Sequence, residues 1–218
     1  MKRLLLLGAI LVLVACGGKK AASPTTATAP PADSSGCTTV DQPKPEDRTG
    51  PKSYPLLDPA KTYDVVLKTN CGTFTIRLAV KTSPKTTASF ASLVQHGYFD
   101  ATIFHRIVPG FVIQGGDPTA SGTGGPGYST VDRPPASTKY TFGLVAMAKT
   151  QSEPAGTSGS QFFVVTAEDA GLPPDYAILG RVTGDDAAVR RMAAARFDQR
   201  TGQPKSPIVI QKVTISRG

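Results

Sequence analysis

The chain has 218 residues, with 24 Lys and Arg against 16 Asp and Glu, 22 glycines, 19 prolines and no tryptophan. With 39% hydrophobic and 18% charged residues it is neither wholly disordered nor mostly membrane-embedded, and so much glycine and proline excludes a helical bundle or coiled coil. The net charge of +8 is scattered; its densest group, Arg190, Arg191, Arg196 and Arg200, reads as a solvated helix face rather than a nucleic-acid patch, so no nucleic acid is expected as a partner.

At the start, Lys2 and Arg3 precede an apolar run from Leu4 to Ala15. This run is shorter than the about 20 residues that cross a bilayer, but it suits the apolar region of a signal peptide. Leu13-Val14-Ala15-Cys16 resembles the bacterial lipobox, in which a lipid is attached to the cysteine thiol and the chain is cut just before it. The resemblance implies a lipoprotein signal peptide over residues 1–15 and a lipid-bearing Cys16 at the mature N-terminus. An ordinary secretory signal with an incidental cysteine is the alternative. Two acyl chains anchor stably where one does so only marginally, and Lys19 and Lys20 are placed to meet anionic headgroups. The protein is then expected to be exported and held by its lipid at the outer face of the cytoplasmic membrane or in the cell envelope.

Residues 16–59 read as a tether. Residues 17–59 hold eight prolines, Val40 is the only large aliphatic residue between Gly17 and Ser53, and every aromatic residue lies at Tyr54 or later. Such a stretch cannot bury enough apolar surface to fold alone and is expected to be a spacer of roughly 35–40 Å. Residues 60–218 remain as one folded domain. With Cys16 lipidated, Cys37 and Cys71 are left as an even pair in an oxidising space, which suggests a disulfide; two free thiols are the alternative. There is no C-x-x-C, and with only two histidines no metal site is expected.

Within the domain, Tyr63–Lys68 and Thr73–Leu78 flank Asn70-Cys71-Gly72 as a hairpin. Ser83-Pro84 starts a helix, with serine as cap and proline in the first turn, and Gly97 ends it. Phe104–Gln114 is apolar and β-branched, and glycine and proline are dense from Asp117 to Pro135. Strand candidates follow at Phe142–Ala148, Ser160–Thr166 and Ala177–Val182, then a second helix at Asp185–Arg196 and a closing strand at Pro207–Ser216. Many strands, two separated helices and no βαβ alternation argue for a mainly β fold, an antiparallel barrel capped by helices.

Two motifs fail on context. Gly122–Gly127 satisfies G-x-G-x-x-G, but no helix follows it, so it is not a dinucleotide site. Gly156–Ser160 misses the G-x-S-x-G pattern at its last residue. His96 sits at a helix end, and His105 has no evident chemical role and reads as structural.

Phe104–Asp117, F-H-R-I-V-P-G-F-V-I-Q-G-G-D, is more informative. Arg106 and Gln114 lie eight apart, an even spacing that places them on one side of a regular strand, although Pro109-Gly110 bends it. The result is an apolar slot with hydrogen-bonding groups and no nucleophile. An ordinary core strand with a snorkelling arginine reads equally well from this stretch alone.

This segment resembles the signature of the cyclophilin family of peptidyl-prolyl cis-trans isomerases. Gly143–Ala148 (G-L-V-A-M-A), Gly159–Phe163 (G-S-Q-F-F), Thr166 and the G-T-G-G of Gly122–Gly125 fit the family in order and spacing, over roughly Tyr63 to Ser216. The resemblance implies a closed eight-stranded antiparallel barrel capped by two α-helices. It implies that Arg106 is the catalytic arginine and that Phe111 and Gln114 belong to the catalytic set. Phe111, Phe163 and Leu172 would hold the proline ring, Gln114 and Gln161 the substrate backbone, and Ala148 would line the groove. Val112, Lys149 and Tyr176 join the substrate-binding set by the same resemblance: Val112 stands where methionine is frequent, Lys149 where asparagine is common at a position the family uses mainly through its backbone, and Tyr176 in place of a pocket histidine. Gly171 replaces the tryptophan associated with tight cyclosporin binding, so weak cyclosporin binding is expected. Gln151–Ser158 is longer than the loop of compact members. The function so implied is rotation of X-Pro bonds in exported or envelope proteins, by a monomer without cofactor whose partners are proline-containing segments. The alternative is a non-catalytic proline-binding, chaperone or scaffold module on the same fold.

Overall fold

The structure, a computed structural model, describes Asp33, residues 35–51 and residues 53–218. The expected signal peptide, the expected lipid site Cys16 and the first part of the tether lie outside the described residues. The elements in chain order are β1 (Tyr63–Thr69), β2 (Gly72–Leu78), α1 (Pro84–Gln95), β3 (Thr102–Val108), β4 (Val112–Asp117), β5 (Thr130–Val131), β6 (Leu144–Met147), β7 (Thr157–Ser158), β8 (Phe162–Val165), β9 (Ile178–Thr183), α2 (Ala187–Ala193) and β10 (Val209–Arg217). Eight strands close an antiparallel barrel in the order β1-β10-β3-β4-β8-β6-β9-β2, and β5 and β7 form a separate pair. Among the described residues no helix is long and apolar enough to cross a membrane.

Side-chain alternation builds the barrel. In β1 and β2 the residues Val65, Leu67, Phe74 and Ile76 point inward and are buried, while Asp64 and Arg77 pair on the outside at 2.9 Å. Strands β4, β6 and β8 differ because they are covered on both faces. Ile113, Val145, Met147, Phe162 and Val164 enter the barrel core. Their neighbours Val112, Leu144, Ala146, Phe163 and Val165 point the other way, into a second cluster around Tyr140. Two-sided burial explains why these runs read as unbroken apolar stretches. Helix α1 plugs one end, with Phe90 stacked on Phe99 at 4.6 Å and edge-on to Phe162 at 5.6 Å.

Both helices depart from the sequence reading at their starts. Ser83 precedes α1 but makes no side-chain cap, and its Oγ is buried without a partner. The Thr86 amide instead donates to the Asp132 carboxylate at 2.6 Å, a cap supplied from a distant loop. Helix α2 is shorter than Asp185–Arg196, because Asp185 stays outside it and accepts the Ala187 amide at 2.8 Å. Its arginines are not all free solvated charges. Arg190 pairs with Asp186 and lies over the Phe142 ring, while Arg191 Nε donates to the Cys71 carbonyl at 2.6 Å.

The described part of the tether also differs from a free spacer. The Cys37 and Cys71 sulfurs are bonded, and the Asn70 side-chain amide donates to the Thr38 carbonyl at 2.7 Å. From there the chain lies along the barrel as a strap. The Glu46 and Gly50 amides donate to the Pro118 and Pro126 carbonyls, and Arg48 Nη1 donates to the carbonyls of Tyr98 and Asp100, both at 2.7 Å. Tyr54 stacks on Tyr128 at 5.7 Å. Backbone hydrogen bonds and one covalent tie hold the strap, which is how a segment poor in apolar residues becomes ordered.

Candidate active site

Phe104–Asp117 is a hairpin rather than one bent strand. Pro109 and Gly110 occupy the middle of a tight turn closed by the Phe111 amide donating to the Val108 carbonyl, and Gly110 has φ +63°. That is the proline-then-glycine pattern of a type II turn. Arg106 therefore lies directly across from Gln114 on the neighbouring strand, and Gln114 lies across from Phe163, which lies across from Ala146. One rung of the sheet carries all four, so the even spacing gathers them by pairing and not by sharing a strand.

Two bulges aim this rung. Ile103 pairs with Asp117, Phe104 with Gly115 and Arg106 with Gln114, which leaves Gly116 extra on β4 and His105 extra on β3. Phe104 and Ile107 both enter the core although three positions separate them. Without the extra residue, strict alternation would turn Arg106 to the same side as Phe104; with it, Arg106 faces the groove. Gly116 has φ +86°, and a Cβ there would lie 2.5 Å from the Ser160 carbonyl oxygen. The Nδ1 atom of half-buried His105 is buried without a partner; desolvation outweighs the Asp117 charge and, together with the Arg106 charge, holds its pKa below the usual histidine value.

A chain of amides runs to Arg106. Gln161 Nε2 donates to the Gly124 carbonyl at 3.0 Å, and Gln114 Nε2 donates to Gln161 Oε1 at 3.0 Å. Arg106 Nη1 approaches Gln114 Oε1 at 3.5 Å. A backbone carbonyl can only accept, so Gly124 fixes the orientation of both side-chain amides and turns the Gln114 oxygen toward the guanidinium. Among the described residues no carboxylate forms an ion pair with Arg106, which leaves donors directed at the groove.

Arg106, Phe111, Val112, Gln114, Ala148, Lys149, Phe163, Leu172 and Tyr176 line one cavity of about 230 Å³. Gln161 lines an adjoining cavity of about 330 Å³, which shares Gln114, Ala148 and Lys149 with the first. The floor is aromatic: Phe163 lies edge-on to Tyr176 at 5.4 Å, and the Tyr140 hydroxyl donates to the Tyr176 carbonyl and accepts from its amide. Burial, despite those hydrogen bonds, pushes the Tyr140 phenol up to about 12.

Several side-chain roles escaped sequence reading. Lys149 acts through its side chain and not only its backbone. Its ammonium, on a side chain 3% exposed, pairs with Asp175 at 2.6 Å, donates to the Thr150 and Glu153 carbonyls and lies 5.6 Å from the Tyr176 ring centroid. It bolts the long Gln151–Ser158 loop to the segment bearing Leu172 and Tyr176, and so fixes the far wall of the groove. Fully buried Asp117 accepts the amides of Thr119, Gly122 and Gly124 and the Thr119 hydroxyl. Burial raises its pKa, but these hydrogen bonds outweigh burial and hold it below the ordinary carboxylate value. The glycine-rich loop thus cradles an internal carboxylate where the motif formally suggested a nucleotide phosphate. A Cβ on Gly124 would collide with that carboxylate.

Comparison with known proteins agrees with this geometry. Residues 64–215 match the family described as cyclophilin type peptidyl-prolyl cis-trans isomerase/CLD. Peptidyl-prolyl cis-trans isomerase-like 1 of Neurospora crassa is 38% identical over 158 residues, covering 71% of this chain and 94% of that protein. Peptidyl-prolyl cis-trans isomerase B of Streptomyces anulatus is 36% identical, covering 72% of this chain and 98% of that protein. The crystal structure of a cyclophilin type isomerase from Cryptosporidium parvum, in the presence of the dipeptide Ala-Pro, has a TM-score of 0.65 and 32% identity. It covers 70% of this chain and 98% of that one. The barrel, the groove on its outer face and these matches converge: the chain belongs to the cyclophilin-type peptidyl-prolyl cis-trans isomerases.

Proposed function

We propose that this isomerase acts outside the cytoplasmic membrane, held there by a lipid on Cys16, and rotates X-Pro bonds in exported or envelope proteins with Arg106 as its catalytic donor. The observation that carries the catalytic part is the Arg106–Gln114–Phe163 rung, which sets a charged donor and an oriented amide beside an aromatic floor. That the Cryptosporidium parvum crystal structure is described as in the presence of the dipeptide Ala-Pro supports a prolyl ligand for this groove.

Rotation about X-Pro is slow because amide resonance must be lost, with a barrier of about 18–20 kcal/mol. Acceleration requires that the twisted amide bind better than either planar isomer. In the twisted amide the prolyl nitrogen regains its lone pair. Arg106 donates a hydrogen bond to that nitrogen, while Phe111, Phe163 and Leu172 grip the ring and Val112 and Tyr176 complete the pocket. Gln114 and Gln161 hold the peptide backbone, and Ala148 and Lys149 border its path. The amide chain from Gly124 preorganises Gln114 before substrate arrives, so little reorganisation is needed during rotation. Proton transfer, covalent bonding and a cofactor have no part in this scheme.

The anchor reading rests on Lys2 and Arg3, the apolar run and Leu13-Val14-Ala15-Cys16. Cys37 is bonded to Cys71, so the expected tether is fastened to the domain well before Pro59. Weak cyclosporin binding fits Gly171, which is exposed and would meet nothing within 4 Å of an added Cβ. Fractionation of cells producing the Cys16→Ala chain tests the anchor: the variant leaves the membrane fraction, and its retention there would refute lipidation at Cys16. Comparison of the wild type with Arg106→Ala in a prolyl isomerisation assay tests the catalytic role.

A further inference from the structure

The glycine-rich loop between Asp117 and Thr130 forms one wall of the 330 Å³ cavity beside the catalytic groove, through Gly122–Ser129. Asp117 holds this loop from inside. From outside it is held by the strap, at both ends and by side-chain packing. Glu46 N–H donates to the Pro118 carbonyl at 3.0 Å, and Gly50 N–H donates to the Pro126 carbonyl at 2.9 Å. Tyr54 stacks on Tyr128, whose hydroxyl is 3.0 Å from Ser89 Oγ on α1. Gly50 is wedged so closely that a Cβ there would lie 2.8 Å from Leu93 Cδ2 and 2.9 Å from both Pro126 Cβ and Tyr128 Cε1. The strap is fixed in turn at Cys37–Cys71 and where the Asp58 amide meets the Tyr63 hydroxyl.

We infer that Gly50 and Tyr54 are positioning residues: the strap sets where Pro126 and Tyr128 stand, and thereby how the adjoining cavity receives the peptide residues that flank the proline. This rests on the isomerase reading for its substrate class. The prolyl pocket itself is built on β3, β4, β6 and β8 and the 172–176 segment, none of which touches the strap through the contacts above. The strap therefore acts on the substrate groove through the glycine-rich loop without lining it, and extended peptides sense it where a bare dipeptide does not.

The test uses the full 218-residue chain in mild detergent, with Tyr54→Ala, Gly50→Ala and Tyr54→Phe. Calorimetric binding and isomerisation are measured on the dipeptide Ala-Pro and on a hexapeptide with Ala-Pro at its centre. Tyr54→Ala and Gly50→Ala weaken hexapeptide binding and raise its KM by about fivefold or more, with kcat and dipeptide binding within twofold of wild type. Tyr54→Phe, which keeps the stacked ring, restores the wild-type values. Equal losses on both peptides, or none on either, would overturn the inference. A wild type that binds both peptides without accelerating isomerisation would count against the catalytic reading alone, and the contrast in binding would still decide the role of the strap.

Discussion

Replacing Cys37 and Cys71 together by alanine removes the covalent tie between the strap and the β1–β2 turn. The bridge joins residues 34 apart in sequence. For a loop of that length, the closure entropy removed from the unfolded chain corresponds to about 3–4 kcal/mol of stability. For a domain of this size each kcal/mol moves the melting temperature by about 2–4 °C, so the double variant melts roughly 6–16 °C lower. Both cysteines are buried, at 3% and 2% exposure, so loss of packing adds to this and does not offset it. Thermal and urea unfolding of the oxidised wild type, the reduced wild type and the double variant, followed by circular dichroism, measures the effect. Reduced wild type should track the double variant. A loss under about 1 kcal/mol, or a reduced protein as stable as the oxidised one, would refute the view that the bridge stabilises the domain by tying the strap to it.

Lys149→Met keeps the apolar stem but leaves Asp175 and the Thr150 and Glu153 carbonyls without their shared donor. Asp175 is partly solvated, so a stability loss of about 1–3 kcal/mol is expected, below that of a fully buried pair, together with a raised KM in steady-state assays. Tyr140 should be among the last tyrosines to ionise in an absorbance titration, near pH 12, and Tyr140→Phe should remove that step. Because its pKa is raised above the unfolded value of 10, its contribution to stability is present below pH 10 and is lost as pH rises toward 12. His105 and Asp117 act at the other end. Both folded pKa values are depressed, so each contribution is complete above the unfolded value, 6.5 for His105 and 3.8 for Asp117, and is lost as pH falls below it. Urea midpoints should decline in two stages on acidification, and His105→Gln should abolish the first.

The strands were legible because their burial is periodic or two-sided, and the groove because its residues cluster in blocks of fixed order. What stayed hidden depends on partners distant in sequence. The His105 and Gly116 bulges exist only in the register between β3 and β4, so the relation of Arg106 to Gln114 looked like even spacing on one strand. The cap of α1 comes from Asp132, although Ser83 stands in the cap position. Lys149 looked like a backbone position because its ammonium finds Asp175 across two loops. The strap was hidden for another reason: apolar composition measures what side chains can bury, whereas Glu46 and Gly50 are held through their backbone amides and Arg48 through its guanidinium on two backbone carbonyls.

The central claim is that a preorganised Arg106 stabilises the twisted prolyl amide. It is tested most directly by isomerisation kinetics of a proline peptide with wild type and Arg106→Ala, their folds matched by melting temperature. Wild type should accelerate cis-trans exchange, and loss of the guanidinium should lower kcat by about a hundredfold or more with a much smaller change in KM, as for removal of one transition-state donor. A wild type that leaves the exchange rate unchanged, or an alanine variant as fast as wild type, would contradict it.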